Sequence, residues 1–188
     1  MSDAAELLTV VDAVIIALRR YAIPYFVTGS FASSIHGEFR ATADIDLVAD
    51  MHPAVLPALM QDLQVAFVAD LEQATSSLAA GMSFNLIHRT TYLKVDFFPC
   101  NSAFDRSALA RAVTIDMPGA RETLRVSSLE DILLGKLRWY RLGGESSAMQ
   151  HRDIRRLIEL NRDELDMAYL RQWSAVLGVD DLLTSALA

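Results

Sequence analysis

The chain has 188 residues, 52% of them apolar, a net charge of −7 and one cysteine, Cys100. That is enough chain and apolar mass for one sizeable domain, or a domain with a helical appendage, and it excludes a disordered chain. The acidity argues against a general nucleic-acid binder, whose phosphate contacts need a basic field, and a lone cysteine excludes an internal disulfide or a cysteine-rich zinc site.

The start of the chain is acidic and lacks the basic stretch of a signal peptide. The apolar runs are too short to span a bilayer, so the expectation is a cytoplasmic protein with no membrane contact. Residues 4–21 carry apolar groups at helical spacing, and Pro24 ends that helix. A short buried strand is predicted over 25–28, a turn at Gly29-Ser30, and a short helix over 31–36 closed by Gly37. Residues 38–43 form a loop or strand entry, and 45–49 a strand. A helix opening at His52-Pro53 runs to about Val65, followed by a short strand or helix end over 65–68. Asp70 to Ala80 reads as a further helix, and residues 82–87 and 92–98 as a pair of strands. A mixed helical segment spans 102–112, and a hairpin is predicted around Pro118-Gly119. Then the pattern turns helical. Ser127 and Glu130 match a capping box for a helix over 129–142, Gly143-Gly144 breaks it, and helices follow over 147–160, 165–177 and from Asp180. The expected architecture is α+β: a mixed small sheet flanked by helices over residues 1–126, with a helical C-terminal region over 127–188 packed on it.

The chemistry concentrates between residues 25 and 48. An apolar strand ends in Gly29-Ser30, just before a helix, where backbone N–H groups and the positive dipole end suit a phosphate. Asp44 and Asp46 then sit two apart in an apolar run. Strand side chains alternate faces, so both carboxylates point the same way while Ile45, Leu47 and Val48 can serve the core. Two like charges on one face repel, and a hard divalent cation such as Mg²⁺ relieves that cost with oxygen ligands. Two-metal chemistry needs a further carboxylate, and Asp96, embedded in Tyr92-Leu-Lys-Val-Asp-Phe-Phe on a predicted strand, is the candidate. A competing reading makes Asp96 an acid at a strand edge paired with Lys94 or Arg89.

An apolar strand, Gly29-Ser30, thirteen intervening residues, Asp44-Ile45-Asp46 and a later strand aspartate, Asp96, together resemble the nucleotidyltransferase superfamily of DNA polymerase β. Within it the chain looks most like the minimal nucleotidyltransferases and the abortive-infection toxin type. The likeness covers about residues 22–100. It extends more weakly to Lys136 and to Arg152-Asp153, where toxin-type relatives carry a Lys on one helix and an Arg-Asp pair on the next. The resemblance implies a polymerase β-like core and an enzyme that moves a nucleoside monophosphate from an NTP such as ATP to a hydroxyl, releasing pyrophosphate. Gly29 and Ser30 would hold the triphosphate. Asp44, Asp46 and Asp96 would bind Mg²⁺ or Mn²⁺, with Asp96 also acting as base on the acceptor hydroxyl. Arg40, Thr42, Lys94 and Lys136 are secondary candidates for nucleotide or phosphate contacts. The acceptor is a protein hydroxyl, an RNA end or a small molecule, and a toxin or antitoxin partner protein is implied.

The competing motifs are missing. None of His36, His52, His88 and His151 has the spacing of a helical metal pair, and neither a P-loop nor a Gly-x-Ser-x-Gly elbow occurs. Two other readings stay open: a catalytically silent member of the same fold that binds a nucleotide or a partner, and an unrelated phosphohydrolase that uses the same acids to activate water.

Overall fold

The computed structural model of the chain describes residues 3–36 and 44–188. Helix α1 (Asp3–Arg20) leads into strand β1 (Tyr25–Thr28), and α2 (Gly29–His36) follows without a break. Strand β2 (Asp44–Ala49) precedes a 3-10 turn over Pro53–Val55, then α3 (Leu56–Leu63), the short β3 (Phe67–Val68), α4 (Leu71–Ala79), β4 (Phe84–His88) and β5 (Lys94–Pro99). Helix α5 (Ala103–Arg111) and the hairpin β6 (Val113–Ile115) and β7 (Leu124–Val126) come next. Four helices end the chain: α6 (Leu129–Leu142), α7 (Ala148–Asn161), α8 (Met167–Leu177) and α9 (Asp180–Leu187). No helix among the described residues is long and apolar enough to cross a membrane.

The strands form one seven-stranded mixed sheet in the order β3-β4-β5-β2-β1-β7-β6. β2 runs antiparallel to β1 and parallel to β5, β1 runs parallel to β7, and β4–β5 and β6–β7 are antiparallel hairpins. The architecture is the α+β one expected from the sequence, a mixed sheet flanked by helices. Period-2 alternation decides what each face carries. Tyr25, Val27, Ile45, Leu47, Ala49, Phe84, Leu86, Val95 and Phe97 are buried in one large core that also takes in the apolar faces of α1 and α3. The alternate residues Phe26 and Val48 bury the other face against Ala108 of α5. Asp44, Asp46, Lys94, Asp96 and Phe98 belong to that second face by the same alternation.

Helix α6 joins the two halves of the molecule. Leu129 and Ile132 enter the large core, whereas Leu133, Leu134 and Leu137 enter a second core with Phe104 of α5, Ile154 and Ile158 of α7, Leu170 of α8 and Leu183 of α9. Each such fully buried side chain contributes about 2 kcal/mol through area removed from water.

The elements differ from the sequence expectation by small offsets. Helix α2 begins at Gly29 itself, not two residues later, and strand β2 already includes Asp44. The N-cap of α6 is Ser128, not Ser127: its hydroxyl accepts from the Asp131 N–H at 3.2 Å and donates to the Asp131 carboxylate at 2.9 Å. Ser127 is instead engaged by the sheet, its N–H donating to the Val27 carbonyl at 2.9 Å. A full capping box occurs at α5, where Ser102 and Asp105 exchange side chain to backbone bonds.

A polar seam ties α5, α6 and α8 together. Arg111 of α5 pairs with Glu130 of α6 at 2.8 Å, and its guanidinium lies 3.9 Å from the centre of the Tyr169 ring on α8. Tyr169 donates to Asp131 at 2.7 Å, and Glu130 also accepts the Asp166 N–H at 3.1 Å. Burial pushes the Asp131 carboxyl up, against the hydrogen bonds from Tyr169 and Ser128 that favour its charge. Removing Arg111 would leave Glu130 as a buried, half-partnered charge. Arg111→Met is therefore expected to destabilise the fold by on the order of 2 kcal/mol in urea unfolding at pH 7.5. An unchanged midpoint would mean that apolar contacts alone dock the C-terminal helices.

Candidate active site

Pairing of β2 with β5 in parallel brings Asp46 directly beside Asp96 and Asp44 beside Lys94. On the two flanking strands, Thr28 of β1 stands opposite Asp46 and Asn85 of β4 stands opposite Asp96. Residues in register share a face, so Thr28, Asp46, Asp96 and Asn85 make one row across four strands. Asp44 and Lys94 lie two residues back in the next row. Sequence alone proposed the three aspartates; strand pairing puts Asp96 on the same face as the other two.

The turn at Gly29 is built around Asp46. Gly29 has φ +68°, the left-handed region in which a side chain is strained. A Cβ added there would stand 1.8 Å from a carboxylate oxygen of Asp46. Both the backbone conformation and the space thus demand glycine. Helix α2 starts at this residue, so its N-terminal end sits over the Asp46 carboxylate, and Ser30 lies in its first turn, its carbonyl accepting from Ser34 at 3.0 Å. A helix N-terminus beside acids suits a phosphate that brings a cation with it.

Electrostatics define the site further. Asp46 is pushed up to about 6, first by burial and then by the neighbouring charges of Asp44 and Asp96, with Lys94 and Lys136 pulling the other way. Lys94 meets Asp96 at 2.7 Å, and its ammonium is held above the usual lysine range chiefly by that hydrogen bond. Lys136 reaches the site from α6; only 12% exposed, it is held by Asp153 of α7 at 3.1 Å. Cys100 is pushed up to about 11 by burial and by Asp105 and Asp50, which argues against a thiolate nucleophile.

Of the residues singled out from sequence, the structure gathers Asp44, Asp46, Lys94 and Asp96 on one sheet face, with Gly29 and Ser30 at the adjoining helix start and Lys136 near enough for its charge to act on Asp46. Arg40 and Thr42 lie outside the described residues. Thr28 and Asn85 were not proposed from sequence as members of the site, whereas Asp153 was singled out only through the resemblance, in the Arg152-Asp153 pair named with Lys136. Alternation around Phe84 and Leu86 could have placed Asn85 on the outer face; nothing local links Asp153 to a lysine on a different helix.

Three carboxylates sharing one face, with Asp46 strained by its neighbours, have the hard oxygen donors that a divalent cation takes. Among the described residues, no three of His, Cys, Asp or Glu are so placed that they could hold a metal ion as they stand. Lys94 engages the third acid.

No family model matches the sequence, and no curated protein does. Solved structures are similar in fold. The crystal structure of ANT(2")-Ia in complex with adenylyl-2"-tobramycin superimposes with a TM-score of 0.57 at 14% identity, over 92% of this chain and 97% of that one. An antigenic nucleotidyltransferase-like protein from Paracoccidioides brasiliensis gives 0.56 at 20% identity, over 97% and 92%. The lincosamide antibiotic adenylyltransferase LnuA, lincomycin-bound, gives 0.52 at 15% identity, over 78% and 92%. The chain therefore has the nucleotidyltransferase fold.

The raised Asp46 carboxyl has a cost that can be measured. A rise from 3.8 to about 6 amounts to on the order of 2 to 3 kcal/mol against the charged form. That cost is present in full above pH 6 and fades as pH falls toward 4, where the folded state takes up a proton. Asp46→Asn is expected to be the more stable protein at pH 7.5 by about 2 kcal/mol in urea, with the advantage shrinking toward pH 4. Gly29→Ala is expected to lose about 1 to 3 kcal/mol in the same measurement, through backbone strain and the clash with Asp46.

Proposed function

We propose that this chain, with its nucleotidyltransferase fold, transfers a nucleoside monophosphate from an NTP to a hydroxyl acceptor and releases pyrophosphate. One observation carries the reading: Asp46 and Asp96 stand in register on adjacent parallel strands, and the Gly29 turn closes directly on Asp46. This is the arrangement the reaction needs, with acids that can hold a cation on one side and a helix start that can hold phosphates on the other.

Asp44, Asp46 and Asp96 are the residues that would hold Mg²⁺ or Mn²⁺, which when bound supplies charge neutralisation at the transferring phosphoryl group and its leaving oxygen. The chain's own groups do the rest. The N–H groups at the start of α2, with Ser30, orient the triphosphate so that the leaving pyrophosphate lies over β1 and α2. Asp96 accepts the proton of the incoming hydroxyl as the new phosphodiester bond forms and the bond to pyrophosphate breaks. Attacking and leaving oxygens must be roughly in line. β5 and β1 flank β2 on opposite sides, and in the proposed course the acceptor would enter over β5 and the pyrophosphate leave over β1. Lys136, fixed by Asp153, supplies positive charge near Asp46 where negative charge builds up.

Two neighbours in fold are recorded with antibiotics, one as adenylyl-2"-tobramycin and one with lincomycin. Together with a net charge of −7, this favours a small hydroxylated molecule as acceptor over an RNA end or a protein hydroxyl. The toxin-type relationship, and with it any toxin or antitoxin partner, rests on Lys136 and Arg152-Asp153 alone. The silent-binder reading draws on the Lys94–Asp96 pair, which leaves the acids without a ready place for a metal.

The test is incubation with each α-labelled NTP, Mg²⁺ and, in turn, lincomycin, tobramycin and a small-molecule cell extract. Label transferred to an acceptor with stoichiometric pyrophosphate is the expected result, and Asp44→Asn is expected to lower it by about a thousandfold or more. Tight NTP binding without turnover would support the silent reading, and phosphate release without transfer would support a hydrolase. Undiminished transfer by Asp44→Asn would remove the site from consideration.

A further inference from the structure

Lys94 occupies an unusual place. It is the first residue of β5, in register with Asp44 and two residues before Asp96 on the same face. Its ammonium stands 2.7 Å from an Asp96 oxygen and interacts favourably with Asp44, Asp46 and Asp96 alike. The other lysine at the site, Lys136, has its ammonium on Asp153. Lys94 is thus the positive charge that the three acids share from within their own sheet.

The pair is built to open. The Lys94 side chain is 41% exposed and the Asp96 side chain 15%. An exposed lysine is a compact charge on a flexible four-carbon stem, so its ammonium can move into solvent, but Asp96 is mostly buried and would be left unpaired beside Asp46. The ammonium therefore leaves only when another cation takes over Asp96, and a divalent cation added beside an ammonium that stays in place would be strongly repelled. A triphosphate changes this balance. It brings its own negative charge and offers the displaced ammonium a new partner.

We propose that Lys94 is an internal counter-ion that holds Asp96 in the empty site, yields it when metal and nucleotide arrive together, and then binds the nucleotide's phosphates. This rests on reading Asp44, Asp46 and Asp96 as the metal site of a nucleotidyltransferase. It makes metal alone a poor ligand and couples metal binding to the triphosphate. The lysine has two successive partners, Asp96 and then phosphate, and its position at the start of the strand reaches both.

The experiment measures Mn²⁺ binding by the loss of the free-ion electron paramagnetic resonance signal, with and without α,β-methylene-ATP, which cannot be cleaved at the reacting bond. With Mn²⁺ alone, Lys94→Met is expected to bind about tenfold more tightly than the unaltered chain, and Lys94→Arg within about twofold of it. With the nucleotide analogue present, the order reverses: Lys94→Met binds the analogue several-fold more weakly. Lys94→Gln provides a second neutral variant should methionine disturb the fold. Equal or weaker Mn²⁺ binding by both neutral variants overturns the proposal. A separate outcome concerns the parent reading: if Asp46→Asn and Asp96→Asn leave Mn²⁺ and analogue binding unchanged, the acids are not a metal site and both inferences fall.

Discussion

Like charges held side by side organise this molecule. Asp46 and Asp96 are forced into register by parallel pairing of β2 and β5, and Asp44 lies one step away on the same face. A sheet cannot relax such a row by sliding, because a one-residue slip would turn Ile45, Leu47, Val95 and Phe97 out of the core. The apolar residues thus lock in the repulsion of the polar ones. What remains available to the protein is compensation by positive groups, and it uses Lys94 from the same strand, Lys136 from α6 and the N-terminal end of α2.

Each compensating element depends on packing elsewhere. The start of α2 can approach Asp46 only because residue 29 has no Cβ. Lys136 is in place because the first turns of α6 are buried and because Asp153 on α7 holds its ammonium. Helix α6 in turn is fixed by two cores and by the seam of Arg111, Glu130, Asp131 and Tyr169. The C-terminal helices are therefore part of the site's electrostatics as well as of its scaffold. Solved structures 14 to 20% identical share the fold, so the backbone architecture survives replacement of most side chains.

Much of the fold could be read from local pattern. Helices with a clear 3.6-residue face and strands with strict alternation were legible because burial of one face imposes those periods. Errors fell where two neighbouring residues could play one role. Ser127 and Ser128 are both potential caps, and the choice went to Ser128 because the N–H of Ser127 extends the pairing with β1. The break between Gly29-Ser30 and the following helix, expected from the turn chemistry, does not exist, since Gly29 itself starts α2.

The sequence by itself determined the chemical parts: an acid pair spaced to share a strand face, a third strand acid, a glycine before a helix, and a surplus of apolar residues able to hold them. These are properties of neighbours along the chain, where backbone periodicity decides direction. Only the tertiary structure decided that β5 lies next to β2 and in which register, that Lys94 takes Asp96 as its partner, and that Lys136 pairs with Asp153 while its charge acts on Asp46. Those facts depend on which strands pair and how helices cross. Such choices are made by burial of the whole apolar surface at once, and no local segment records them.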